Sequence, residues 1–98
     1  MRQFDVYRPR SGPHLLILQD DSINHFNAVV AAPLYPADDW ERPMRHLQPI
    51  FDLDGQSYVL VTNLLAAIPR AHFTDCVHSL ESHRDEIIAA LDFLFTGI

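Results

Sequence analysis

Glycine is scarce in this 98-residue chain, with three residues in all, and no phosphate-binding glycine loop can be assembled from them. A Gly-x-Ser-x-Gly elbow is also missing, which removes one familiar setting for a serine nucleophile. The single cysteine, Cys76, excludes an internal disulfide framework and agrees with a reducing compartment; its expected place is that of a small buried hydrophobe. Basic residues are few, seven against thirteen acidic ones, for a formal net charge of −6. Because affinity for phosphates is supplied largely by clustered Lys and Arg, this balance argues against direct nucleic-acid binding and for a protein partner. No apolar run approaches the roughly 18 residues that span a bilayer. The first residues hold no stretch long enough for a secretory signal, so the expectation is a cytoplasmic protein that starts at Met1.

What is present reads as one domain, 1–98, of strands and turns followed by a helix. A chain this short buries only about 60–65% of the surface its unfolded form exposes, so one modest core is the ceiling. Phe4 and Val6 alternate with polar neighbours and predict a half-buried strand. The Pro9 and Pro13 loop interrupts it, and Leu15, Leu16, Ile17 and Leu18 predict a second strand in an antiparallel pair. A third strand is expected over 28–32, stopped by Pro33, and 35–47 reads as a long loop carrying Pro36, Trp40 and Pro43. Asp54-Gly55, between apolar runs, has the backbone freedom of a type I′ turn, which predicts a hairpin pairing Leu53 with Gln56 and Phe51 with Tyr58. A last strand is expected over 70–77.

From Leu80 the period changes. Leu80, Arg84, Ile87, Ile88, Leu91, Leu94 and Phe95 recur at spacings of three and four, the pattern of a helix with one apolar face. Ser79 or Ser82 is placed to cap its start, and Gly97 to end it.

Little in the sequence suggests catalysis. The six histidines show no metal-ligand spacing: His78 and His83 are five apart, whereas a helical pair on one face needs four. Asp52-x-Asp54-Gly55 lacks the other ligands of a calcium loop, and Asp20-Asp21 and Asp38-Asp39 read as solvated acids in turns. No catalytic residue, cofactor or metal is therefore assigned. The apolar ending Phe93-Leu94-Phe95-Thr96-Gly97-Ile98 is unusual, since most chains trail off in polar residues. Two readings are open: Ile98 folds back onto the core, or a rigid helix presents its apolar tip and carboxylate to a partner.

Several segments, in order along the whole chain, resemble the CcdB family of toxins. Gln3-Phe4-Asp5-Val6-Tyr7 is similar to its QFxVY opening, and Leu18-Gln19-Asp20-Asp21 to a VQSD-like strand end. Leu47-Gln48-Pro49-Ile50 resembles LYPV, Ala67-Ile68-Pro69 resembles SVP, and Leu80 with Ser82-His83-Arg84 resembles LSHR. The last six residues resemble a terminal xxFWGI signature. The resemblance implies an SH3-like antiparallel barrel, shared with MazF-like toxins, with an added C-terminal helix, working as a homodimer. It further implies that two helix ends engage the A subunit of DNA gyrase and trap its DNA-cleaved state, with neutralisation by a CcdA-like antitoxin. On that basis Phe95, Thr96, Gly97 and Ile98 are the gyrase-binding candidates. Thr96 departs from the family's Trp, an anchor that buries on the order of 200 Å². The alternatives are a MazF-like endoribonuclease, against which the scattered Arg8, Arg10, Arg42, Arg45, Arg70 and Arg84 argue, and a non-toxic relic of the same fold.

Overall fold

A computed structural model describes residues 1–23 and 25–98. Its strands are β1 (Asp5–Arg8), β2 (His14–Ile17), β3 (Ala28–Pro36), β4 (Ile50–Leu53), β5 (Gln56–Leu60), β6 (Ala66–Pro69) and β7 (Asp75–Ser79), and helix α1 (Arg84–Thr96) follows. All pair antiparallel in the order β4-β5-β3-β2-β1-β7, with β6 also on β3. The sheet curls into a half-barrel with one C-terminal helix, the SH3-like class expected.

Strand β3 does not stop at Pro33; it runs to Pro36 and shortens the expected loop by two residues. The reason lies in the pairing. On one side Ala31 to Leu34 of β3 pair with β2, while on the other Ala28 to Ala31 pair with β6 and Leu34 to Pro36 pair with β5. Pro33 sits at the junction of those two partners. Its carbonyl accepts a hydrogen bond from the Val61 amide at 2.9 Å, so its nitrogen, on the same edge, faces the junction and costs the ladder no donor.

Alternation along the strands fills both faces of the sheet. Val6, Leu16, Ala32 and Leu34 point to one side, where Phe4, Phe51, Leu53, Leu60, Leu80 and Ile87 complete the main core. Tyr7, Leu15, Ile17, Val29 and Ala31 point to the other and pack with Phe73, whose ring meets Tyr7 edge-on at 5.6 Å. Two covered faces explain the unbroken run Leu15 to Leu18, which alternation alone would not permit.

The central hairpin has the expected register, Leu53 opposite Gln56 and Phe51 opposite Tyr58. Asp54 and Gly55 both have positive φ, 53° and 84°, as a type I′ turn requires. The loop before it is organised by one side chain. Gln48 Oε1 accepts from the Met44 amide at 2.8 Å and from Trp40 Nε1 at 3.3 Å, and Gln48 Nε2 donates to Asn63 Oδ1 at 2.8 Å. Trp40 also stacks on Tyr35 with ring centres 5.3 Å apart, which ties the loop to β3.

Other expectations change. Strand β6 has no counterpart in the sequence reading, because its short segment shows no alternation and owes its pairing to β3. Residues 70–72 form a 3-10 turn, so the last strand starts at Asp75 and ends at Ser79. Neither Ser79 nor Ser82 caps α1: Ser79 Oγ accepts from the Glu81 amide at 3.3 Å and starts a 3-10 turn over 81–83, from which the helix continues. Cys76 is exposed on β7, not buried.

Two outcomes test this packing. Replacing Gly55 with Val places a β-branched residue at positive φ and should lower stability by more than about 1 kcal/mol; an unchanged melting temperature would count against the turn. Thr62 is fully buried, and its Oγ1 has no hydrogen-bond partner among the described residues. Thr62→Val should therefore leave the melting temperature unchanged or raise it, by up to about 1 kcal/mol of stability, because it removes a polar group that gains nothing from burial.

Candidate functional site

Helix α1 is held along one side and free at its end. Ile87 and Ala90 are buried, and Ile88 and Leu91 pack against the main core, so the three- and four-residue spacing read from the sequence seals the half-barrel. At the start, Arg84 lies over the Phe4 ring, 5.7 Å from its centre, and His83 Nδ1 approaches Glu86 at 3.3 Å. The last turn carries no basic side chain.

The four predicted site residues sit together at the far end and are all exposed. Phe95 is 71% exposed and Ile98 93%, which overturns the reading in which Ile98 folds back onto the core. Gly97 adopts the left-handed conformation, φ 75°, and its amide donates to the Phe93 carbonyl at 2.9 Å. The Thr96 hydroxyl donates to the Asp92 carbonyl at 2.6 Å. Both bonds satisfy helix carbonyls that would otherwise lack partners, so the tip is an ordered turn with apolar side chains on its outside.

Beside the tip lies a groove of about 430 Å³ that the sequence reading did not anticipate. One wall is α1, with Glu86, Ala89 and Phe93; the other is His46 and Pro49, and Ile98 stands at its edge. The His46 and Phe93 rings are 6.1 Å apart, and His46 has φ 71°, a conformation non-glycine residues rarely adopt. No local pattern around His46 marks it; only the fold of the Gln48-centred loop brings it to the helix.

The remaining polar candidates divide. Asp20 accepts from the Ser22 hydroxyl at 2.6 Å and the Ser22 amide at 2.9 Å, and those bonds, the hydroxyl first, hold its carboxyl below the usual range. Asp21 accepts from the Gln3 amide at 2.7 Å. These acids shape turns. For Cys76, partial burial first and the Asp5 carboxylate second push the thiol up, so it stays protonated near neutral pH. Among the described residues no three His, Cys, Asp or Glu side chains are grouped to hold a metal ion. His14 and His78, far apart in sequence, do meet in a polar cleft with Arg8, Asp54 and Tyr58. Burial, then Arg8, then His78 hold the His14 imidazole below its ordinary pKa.

Similar proteins place this arrangement. A solved endoribonuclease in complex with its cognate antitoxin, from a mycobacterial species, superposes with a TM-score of 0.76 at 18% identity, covering 94% of this chain and 91% of that one. At that identity the likeness shows the fold alone. No curated protein matches the sequence. The family described as CcdB protein matches residues 3–97, nearly the whole chain, and the protein belongs to that family of toxin–antitoxin toxins.

Proposed function

We propose that this protein binds the A subunit of DNA gyrase through the end of α1 and traps the gyrase–DNA cleavage complex, so that the DNA breaks are made by the target and the toxin itself is no enzyme. The observation that carries the reading is the tip: an ordered, glycine-capped helix end on which Ile98 and Phe95 are exposed to a degree that a monomer gains nothing from. Exposed large apolar side chains on a rigid element are the material of interface anchors. In this reading Phe95 and Ile98 supply apolar contact, and Gly97 sets the direction in which Ile98 leaves the helix. Thr96 stands where the family's Trp would add an anchor, and its hydroxyl is spent on the Asp92 carbonyl.

The protein acts in the cytoplasm, where its target works, and no helix among the described residues is long and apolar enough to cross a membrane. It pairs with itself so that two tips form one bipartite surface, and a CcdA-like antitoxin removes it from gyrase. The acidic charge of α1, with Asp85, Glu86 and Asp92 against Arg84, favours partners that present basic surfaces to it.

Three measurements test this. Incubated with gyrase and supercoiled plasmid, the protein should yield linear DNA after denaturation; RNA cleavage without gyrase, and intact plasmid with it, would replace the reading with the ribonuclease one. Removing Gly97 and Ile98 should abolish growth arrest and gyrase binding while the protein stays folded, losing only the small stabilisation of the glycine cap, since the Ile98 side chain is exposed. Full poisoning by that deletion would end the assignment, and Thr96→Trp should bind gyrase equally or more tightly. Light scattering at micromolar concentration should give twice the 11.2 kDa chain mass; a clean monomer would remove the bipartite surface.

A further inference from the structure

The polar cleft is opposite in character to the α1 groove, and the two share no lining residue. It holds about 470 Å³ and is bounded by Arg8, His14, Asp54, Gln56, Tyr58 and His78, along with apolar Leu53 and Val77. Five strands contribute, β4 through Leu53. Arg8 ends β1, His14 begins β2, Tyr58 lies on β5 and His78 on β7, while Asp54 comes from the turn between β4 and β5. A half-barrel end of this kind is readily plugged by aliphatic side chains; here it gathers one guanidinium and two imidazoles.

The anions now facing those groups are held loosely. Asp54 Oδ2 lies 3.2 Å from His78 Nε2, but the Asp54 side chain is 85% exposed. Asp75 reaches Arg8 only at 3.9 Å, with side chains 65% and 61% exposed. Exposed pairs of this kind contribute little and yield readily to a stronger acceptor. The imidazole of His14 is tilted against the Tyr58 ring with centres 5.2 Å apart and has no carboxylate partner among the described residues. Burial first, then Arg8 and His78, hold its pKa below the ordinary imidazole value. An arrangement of three nitrogen groups converging on an open cleft, with their carboxylates free to swing into water, is complementary to a compact oxyanion.

We infer that this cleft binds a phosphate group, with Arg8 as the planar fork, His14 and His78 as imidazole donors, and Asp54 displaced from His78 on binding. Among the described residues, the charged or titratable groups lining the cleft with His14 are Arg8 from β1, Tyr58 from β5, His78 from β7 and Asp54 from the turn, with Asp75 acting through Arg8; on β3, Leu34 is the residue opposite it. A bound phosphate supplies the negative charge that His14 lacks and raises its pKa, so binding takes up a proton. A phosphodiester, whose own charge is constant over this range, should therefore bind more tightly near pH 6 than near pH 8.

The same chemistry is offered by free phosphate and by the backbone of a single-stranded RNA, and one experiment separates them. The histidine ring nitrogens of the full chain are followed by NMR while inorganic phosphate, or in parallel a hexaribonucleotide, is added to millimolar concentration. Both His14 and His78 should shift together with either probe, with the RNA arm stronger at the lower pH. Tighter binding of the RNA by about tenfold or more assigns the site to a polymer backbone, whereas equal affinity assigns it to free phosphate. The Arg8→Gln/His14→Gln double variant, checked for an unchanged fold by its backbone spectrum, should lose at least about tenfold in affinity for both probes. Absence of any shift at His14 and His78 in the unaltered protein, or undiminished binding by the double variant, would overturn the proposal.

Discussion

Strand β3 must serve three partners at once, and the shape of the molecule depends on how it does so. Its nine residues offer one edge to β2 and divide the other between β6 and β5. A straight strand cannot present one edge to two strands leaving in different directions unless the sheet bends between them, and the bend falls where Pro33 has no amide to lose. The Val61 amide bonded to the Pro33 carbonyl closes that junction from the far side. Both faces of the curled sheet are then covered, one by α1 and the β4–β5 hairpin, the other by Phe73 and its neighbours. The two candidate surfaces follow from the same curl. It turns the β4–β5 turn toward β7 and opens the polar cleft, and it leaves α1 as a lid whose last turn overhangs.

That overhang separates stability from recognition. The residues of α1 that hold the core, Ile87 and Ala90 with Ile88 and Leu91, precede the tip by more than a turn. Phe95 and Ile98 contribute almost nothing to the fold, and the local bonds of Thr96 and Gly97 keep the tip ordered without them. A surface built this way can change its side chains with little loss of stability, as surface positions away from packing generally can. Thr96 is exposed and bonded only within its own turn, so a residue change there touches the tip surface and not the core.

Much of this was legible from the residues. The β4–β5 hairpin was fixed by Asp54-Gly55, because the turn chemistry is local and only positive φ at both positions satisfies it. Helix α1 was legible through its period, and the exposed tip through the resemblance to the CcdB family, since composition alone left Ile98 divided between core and surface. Most of what could not be read depends on contacts between distant segments, although the 3-10 turn that Ser79 starts is local. Pro33 looked like a stop, because the gap opposite it belongs to β5 and β6. Strand β6 exists through β3, Ser79 starts a 3-10 turn in place of the helix, and His46 reaches α1 only through the hydrogen bonds around Gln48.

Net charge is an average over the chain and does not describe any one surface. An average of −6 over the chain says that phosphate is repelled at long range, but screening confines that repulsion to about 8–10 Å at physiological ionic strength. Within that distance only local charges matter. Arg8, His14 and His78, unremarkable in sequence, are brought to one cleft by three neighbouring strands, while most of the acids lie elsewhere: Asp20, Asp21, Asp38 and Asp39 in turns and Asp85, Glu86 and Asp92 on α1. An acidic chain can therefore carry an anion site, provided the fold segregates its charges. The same segregation gives α1 a negative face, so one barrel presents surfaces of opposite preference without either compromising the core between them.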